Sequence, residues 1–127
     1  MDLDHLPAES GAYVLEFRLG QPLELEVGRL GVRQLGAGTL RYYGSACGPG
    51  GLRSRVMRHL NPDGRRDHWH VDRLTRRVMP VRVWFEIGGD ECRWVNRDLD
   101  SGRWVVAVPG FGSSDCRSCP AHLLVAR

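Results

Sequence analysis

The stretch from Arg41 to Leu60, Arg-Tyr-Tyr-Gly-Ser-Ala-Cys-Gly-Pro-Gly-Gly-Leu-Arg-Ser-Arg-Val-Met-Arg-His-Leu, joins a strand to a helix through a turn. Residues 39–43 have the aromatic and β-branched content of a strand. Residues 48–51 are three glycines and a proline, which neither continue a strand nor suit a helix interior. In residues 52–60 the apolar side chains recur at helical spacing. The sequence therefore predicts a strand, a turn and a helix in immediate succession.

The predicted helix carries a cation and an imidazole side by side. Arg55 and His59 are four residues apart, so they lie on one face and one turn from each other. The strand that precedes the turn contributes Tyr42 and Tyr43. A tyrosine, an arginine and a histidine brought together in this way suit phosphate chemistry better than they suit a core.

The rest of the chain continues the alternation of strands and helices. Residues 11–19 and 23–27 predict two strands that pair as a hairpin, because the second alternates strictly between apolar and polar residues. Further strands are predicted at 32–35, 79–87, 105–108 and 123–126, and helices at 67–77, with Asp67 as N-cap, and at 90–100. We therefore expect an α+β fold, a small, mainly antiparallel sheet flanked by helices.

Length and composition set the broad class. A chain of 127 residues with 42% hydrophobic content predicts one globular domain over residues 1–127. No apolar run approaches the roughly 18 residues of a membrane span, and the acidic N-terminus shows no secretion signal. We therefore expect a cytoplasmic protein without a membrane partner.

The basic residues are all arginines. There are 18 of them and no lysine, for a net charge of +3. Codon bias in a GC-rich genome is one explanation, and a surface that binds phosphate is another, since the guanidinium fork grips phosphate bidentately. Eight arginines fall within residues 53–77 near the middle of the chain, which favours a basic patch there.

The cysteines offer a second chemistry. Cys116, Cys119 and His122 have the spacing of half a zinc site, and Cys92 or Cys47 could complete it. Reduced thiols beside a loop are the alternative, and the one that the isolated pair favours. Redox catalysis is disfavoured, because no thioredoxin-like βαβ unit surrounds the pair.

Several short motifs resemble those of one nuclease superfamily. Gly11-Ala12-Tyr13 and Tyr42-Tyr43-Gly44 resemble the paired tripeptides that name the GIY-YIG nucleases. More narrowly, the chain resembles DUF123, a GIY-YIG-related family of unknown function that occurs alone or fused to endonuclease III-type DNA glycosylases. The segments that carry this narrower resemblance are 43–46, 48–52, 68–70, 91–92 and 110–116.

The resemblance implies a metal-dependent phosphodiesterase core. By position, Tyr13 and Tyr42 would be the active-site tyrosines, Arg55 would bind the scissile phosphate, and Glu91 would hold one Mg²⁺ or Mn²⁺ ion. A hard ion of this kind can rely on a single carboxylate, because it keeps several waters. The alternative for Glu91 is a first-turn carboxylate favoured by the helix dipole. An expected asparagine has no secure match, although Asn96 lies one turn beyond Glu91.

Other polar residues have expected roles around this core. His59 could carry a proton or orient a tyrosine hydroxyl, and a capping or structural role is the equal alternative. Trp69 is expected in the core rather than as a platform for stacking bases. The residues expected to bind substrate are Ser45, Arg53, Arg58, His68 and His70.

These features give one function and two alternatives. The favoured function is a metal-dependent endonuclease that acts on nucleic-acid phosphodiesters, with DNA and an endonuclease III-type glycosylase as partners in repair. The first alternative is a catalytically silent nucleic-acid-binding or accessory module with the same fold. The second is a protein-interaction domain stapled by zinc.

Overall fold

The computed structural model of the protein describes residues 5–63, 66, 69–112 and 119–127. These residues form an α+β fold, as predicted, with a five-stranded sheet, a two-stranded sheet and three helices. The elements in chain order are β1 (Gly11–Leu19), β2 (Leu23–Glu26), β3 (Val32–Leu35), β4 (Gly38–Ala46), α1 (Gly51–Leu60), α2 (His70–Arg77), β5 (Arg82–Ile87), α3 (Glu91–Asp100), β6 (Trp104–Val106) and β7 (Leu123–Ala126). None of the helices in these ranges has the length and apolar character that crossing a bilayer requires.

The main sheet has the order β5-β1-β4-β7-β6, and every neighbouring pair is antiparallel. Strand β1 lies between β5 and β4, in a register that places Tyr13 opposite Gly44 on one side and Phe85 on the other. The backbone of β5 comes very close to the start of β1. A Cβ atom at Gly11 would stand 2.3 Å from the carbonyl oxygen of Glu86, so this position requires glycine.

The sheet is covered on both faces. Tyr13, Leu15 and Phe17 belong to a core that includes Leu52 and Val56 of α1. On the other face, Val14 and Tyr43 pack with Val95 of α3. Alternate side chains of β1 thus enter different cores, which is why nearly the whole strand is buried. Each fully buried apolar side chain stabilises the fold by about 1.5–3 kcal/mol.

The predicted hairpin between the first two strands is wrong. Strand β2 pairs with β3 in a separate sheet, with Leu23 opposite Leu35 and Glu26 opposite Val32. Strand β1 has no edge left for β2, because β4 and β5 occupy both of its sides. The small sheet contributes Leu25 and Leu35 to the same core as α1.

Several predicted boundaries move. The strands at 11–19, 32–35 and 123–126 are confirmed, and the strand predicted at 39–43 extends over Gly38–Ala46. Strand β5 starts at Arg82 rather than at 79, since Pro80 has no amide hydrogen to donate to a ladder. Strand β6 is Trp104–Val106 rather than 105–108, because the chain turns where Val108 accepts a hydrogen bond from the Phe111 amide.

Backbone amides at the starts of two helices have identified hydrogen-bond acceptors. In α1 the amides of Leu52 and Arg53 donate to the carbonyls of Glu9 and Pro7, so the segment before β1 caps this helix. Helix α2 starts after Trp69, whose amide donates to the Asp72 carboxylate. The predicted N-cap, Asp67, lies outside the described residues.

Candidate active site

A buried tyrosine and a buried histidine meet on the α1 face of the sheet. The Tyr13 hydroxyl and His59 Nε2 are hydrogen-bonded at 2.6 Å, and neither side chain is more than 1% exposed. Space for the tyrosine ring comes from Gly44, which lies opposite on β4. A Cβ atom there would stand 2.2 Å from Tyr13 Cζ, so only glycine permits this ring position.

The histidine is backed by a carboxylate. Asp72 Oδ1 lies 3.6 Å from His59 Nδ1, and the Asp72 side chain is fully buried. The same oxygen accepts a hydrogen bond of 2.7 Å from Arg58. A negative group beside Nδ1 favours the imidazole tautomer with its proton on that nitrogen, which leaves Nε2 to accept from the tyrosine. A proton can therefore move along the hydrogen bond between Tyr13 and His59, and the negative charge of Asp72 lies beside the far nitrogen of the ring.

Arg55 lies beside both tyrosines. Its guanidinium donates a 2.9 Å hydrogen bond to the Ser45 carbonyl and stacks 4.1 Å from the centre of the Trp69 ring. These two contacts hold the charge next to Tyr13 and Tyr42, whose pKa values it lowers. Arg55 as a whole is partly exposed, unlike the two tyrosines.

Both tyrosines nevertheless keep their hydroxyl protons at neutral pH. Burial raises the pKa of Tyr13 well above its usual value, and burial likewise raises the pKa of Tyr42. The nearby carboxylate of Asp72 acts in the same direction on each. The rings are neighbours, with centroids 6.3 Å apart. At neutral pH both hydroxyls are therefore proton donors, and each becomes a base only if it passes its own proton on.

Glu91 of α3 is the candidate metal ligand, and it acts electrostatically on Tyr42. It is the first residue of α3, after Asp90, whose side chain caps the helix by accepting from the Cys92 and Arg93 amides. Its carboxylate is near enough to Tyr42 to raise the pKa of that phenol. It also raises the pKa of His122, although burial has the larger effect there and lowers it. The structure thus brings Glu91 close to Tyr42.

The residues expected to bind substrate have other contacts. Arg58 bonds to Asp72 and to the Arg66 carbonyl, and Arg53 donates to the Leu6 carbonyl. These guanidiniums hold the fold around the site. The Ser45 hydroxyl contacts the thiol of Cys47, 3.2 Å away.

His70 is engaged with the loop after β6. Its Nδ1 accepts a hydrogen bond of 2.9 Å from the Gly112 amide, and its ring packs against Phe111. Burial lowers the pKa of His70, and the charge of Arg73 adds to this effect. The neutral form is the one that can accept from Gly112. His68 lies outside the described residues.

The Trp69 ring packs between the core and the arginines of the site. It packs against the main core, as expected, and both Arg55 and Arg58 stack on its ring. The ring also lies near His59, with centroids 6.4 Å apart. Trp69 therefore orients the cations of α1.

The cysteine prediction is altered by the structure. Cys92, Cys119 and His122 are all buried, and their ligand atoms lie within 4.8 Å of one another. Cys47 is exposed on the other side of the turn, where it contacts Ser45. Of the two candidates for completing the group, the structure thus selects Cys92. Cys116 lies outside the described residues.

Sequence reasoning missed Asp72. Its signal was present, because Asp72 follows Trp69 by three residues at the start of a helix, the spacing of a capping side chain. The sequence does not show that its second oxygen faces His59, since that contact joins α2 to α1.

A polar cluster on the α3 face was also missed. Arg41 donates to Glu16 at 3.0 Å and lies between the rings of Trp84 and Trp104. Next to it, the Tyr43 hydroxyl donates to Asp98. These residues lie on the face opposite Tyr13, and they stabilise the packing of α3 on the sheet.

The chain was compared with known proteins in three ways. Neither the curated proteins nor the solved structures gave a match. The family model described as "Domain of unknown function DUF123" matches residues 12–127. That match covers both tyrosines, α1 and the start of α3, and the chain therefore belongs to the DUF123 family.

Proposed function

We propose that the protein is a metal-dependent phosphodiesterase that cuts a nucleic-acid backbone, related to the GIY-YIG nucleases. The observation that carries this proposal is the 2.6 Å bond between Tyr13 and His59, with Arg55 and Tyr42 beside it. These residues come from β1, β4 and α1. A proton acceptor, a cation and two phenols in one place are the groups that phosphodiester hydrolysis uses.

The proton path follows from the hydrogen bonds. An attacking water gives a proton to the Tyr13 oxygen while the Tyr13 hydroxyl passes its own proton to His59 Nε2. The imidazolium formed is stabilised by Asp72, 3.6 Å from Nδ1. The water oxygen forms the new bond to phosphorus, and the sugar oxygen leaves with the electrons of the broken bond. This relay needs no free phenolate, which agrees with the raised pKa of Tyr13.

Arg55 provides the phosphate contact. Of the groups that line the site, it is the more exposed, whereas Tyr13 and Tyr42 are 1% and 5% exposed. The guanidinium is held in place by Ser45 and Trp69, so little side-chain entropy is lost when it binds an oxyanion. A preorganised cation of this kind stabilises the charge that develops on the phosphate oxygens.

Glu91 fits the role of ligand for a hard divalent ion. It is partly buried, it offers only oxygen donors, and it lies near Tyr42. Mg²⁺ and Mn²⁺ accept such a site because one carboxylate and several waters can complete an octahedron. When bound, the ion would supply positive charge at the phosphate and at the leaving oxygen. The Asp90 cap fixes the first turn of α3, and hence the position of Glu91.

The proposed substrate is DNA, in a repair setting. Arg76 and Arg77 are exposed in the last turn of α2, and Arg66 is exposed in the segment between α1 and α2, where its carbonyl accepts from Arg58. Backbone binding by arginines predicts an affinity that falls steeply as salt increases. An endonuclease III-type glycosylase is the proposed functional partner, since a lesion-processing enzyme would supply damaged strands.

One observation favours a second function. The near-complete burial of Tyr13 and Tyr42 encloses the hydroxyls that hydrolysis would use. A nucleic-acid-binding module without hydrolytic activity would keep these rings as packing and would use only the exposed arginines.

A cleavage assay separates the two. Labelled single-stranded, duplex, flapped and abasic DNA are incubated with Mg²⁺ or Mn²⁺ and with the wild type, Glu91→Gln, Tyr13→Phe or the control Glu24→Gln. Glu24 lies exposed on β2, so its variant matches the charge change of Glu91→Gln away from the site. The nuclease predicts cutting that falls at least about 100-fold in Glu91→Gln and Tyr13→Phe and persists in Glu24→Gln.

One result would contradict the role of Glu91, and another would contradict the nuclease. Equal cutting by the wild type and Glu91→Gln would remove Glu91 from the mechanism. An absence of cutting, with salt-sensitive DNA binding by all four proteins, would establish the binding module instead.

A further inference from the structure

Three buried side chains meet where α3 begins and where β7 is about to start. Cys92 Sγ and Cys119 Sγ are 2.9 Å apart, and His122 Nε2 lies 3.5 Å from the first sulfur and 3.1 Å from the second. Their exposed fractions are 7%, 8% and 6%. The nuclease mechanism uses none of them.

From this geometry we infer that Cys92, Cys119 and His122 bind one zinc ion. Two thiolates and an imidazole are ligands that zinc prefers, and three protein ligands leave one of four tetrahedral positions for a further ligand. Zinc–sulfur bonds are about 2.3 Å long and zinc–nitrogen bonds about 2.0–2.1 Å. Around a tetrahedral ion, these bond lengths place the ligand atoms roughly 3.5–3.8 Å from one another. The observed separations are up to about 0.9 Å shorter, so a small outward shift of the two sulfurs makes room for zinc.

Charge balance favours the ion at this buried place. Binding displaces one proton from each thiol, and the two thiolates then neutralise the two positive charges of zinc. The site therefore adds no net charge to the interior, and the transfer of the ion out of water is offset by its bonds to sulfur and nitrogen.

The ion would tie a long connection to the helix. Residues 107–122 join β6 to β7, and their described parts, 107–112 and 119–122, contain neither a helix nor a strand. Zinc would join the end of this connection to the first turn of α3, where Cys92 directly follows Glu91.

The inference is independent of the nuclease, and its test is a measurement of metal. The full chain is purified under reducing conditions without chelator, and zinc is counted by mass spectrometry for the wild type, Cys92→Ser, Cys119→Ser, His122→Ala and the control Cys47→Ser. We expect about one zinc per chain in the wild type and in Cys47→Ser, because the Cys47 thiol is exposed, contacts Ser45 and is not part of the buried group. Removing a residue that only hydrogen-bonds a metal ligand weakens metal affinity by about 10–100-fold. Removing a ligand itself should weaken zinc binding by more than that.

Because the buried variants could fail to fold, the wild type is also loaded with Co²⁺. Thiolate-to-cobalt charge-transfer absorption and intense visible bands would support a tetrahedral site with sulfur ligands. Folded, reduced wild type that binds neither zinc nor Co²⁺ would overturn the inference. It would equally be overturned by undiminished zinc in both cysteine variants or by a Cys92–Cys119 disulfide in the native protein.

Discussion

Replacing Gly44 by alanine tests the link between the sheet register and the tyrosine. The new Cβ would stand 2.2 Å from Tyr13 Cζ, 2.4 Å from the hydroxyl oxygen and 2.7 Å from Cε1, whereas ordinary contacts begin at 3.4 Å. The ring must therefore move by about 1.2 Å or more. A shift of this size breaks the 2.6 Å bond to His59.

The cost has two parts. Overpacking of a filled core costs about 1–3 kcal/mol, and separating the buried Tyr13 and His59 costs about another 1–3 kcal/mol. We therefore expect Gly44→Ala to lower the free energy of unfolding by about 2–6 kcal/mol, a large part of the roughly 5–15 kcal/mol of a typical domain.

Urea denaturation at pH 7.5 measures this change. Gly20→Ala is the matched control, because nothing lies within 4 Å of its Cβ, and its unfolding free energy should stay the same or rise by up to about 1 kcal/mol. In a Tyr13→Leu background the clashing atoms are absent, so Gly44→Ala should cost at least about 1 kcal/mol less than in the wild type. The steric link between Gly44 and Tyr13 would be refuted if Gly44→Ala lowered the unfolding free energy by less than about 0.5 kcal/mol and if its effect and that of Tyr13→Leu were additive.

Two further predictions concern groups around the site. Burial lowers the pKa of His70, so protonation favours the unfolded chain, and stability should fall as pH drops from about 7.5 to 5. His70→Asn keeps an acceptor for the Gly112 amide. Its urea midpoint should drop less than that of the wild type between these two pH values. An equal drop would show that His70 does not contribute to the pH dependence. Tyr43→Phe removes the donor to Asp98 on the α3 face, and should lower the unfolding free energy by about 1–3 kcal/mol while leaving metal-dependent DNA cutting unchanged. A loss of cutting in the folded Tyr43→Phe variant would show that the two faces of the sheet are coupled.

Local signals determined the elements that the sequence predicted well. The strand at Gly11–Leu19 and the helix at Gly51–Leu60 carry clear periodicity and end at glycine or proline turns. The pairing of β2 failed as a prediction because it depends on which strands occupy the edges of β1, and β4 and β5 are distant in sequence. Alternation within Leu23–Glu26 gives its buried face but does not identify its partner.

The site was predictable to a smaller extent. Arg55 and His59 follow from helical spacing alone, whereas Tyr13 and Glu91 were selected by resemblance to a family. Arg58 shows the limit of charge as a signal, because its guanidinium is paired with the buried carboxylate of Asp72. The sequence of one helix does not show whether an acidic residue of another helix will pair with its arginine.

Two glycines beside the site meet a packing requirement. Gly44 makes room for the Tyr13 ring, and a Cβ atom at Gly112 would stand 3.1 Å from Tyr42 Cε1. Each tyrosine is thus placed against a glycine, and the two rings come to lie 6.3 Å apart. Gly44 and Gly112 therefore help to specify where the phenols lie, but glycines supply no metal ligand. Under the proposed mechanism, a related chain that kept these glycines and lacked the carboxylate of Glu91 should retain the arrangement of the rings and lose hydrolysis, so the charge at position 91 is the sharper test of that mechanism.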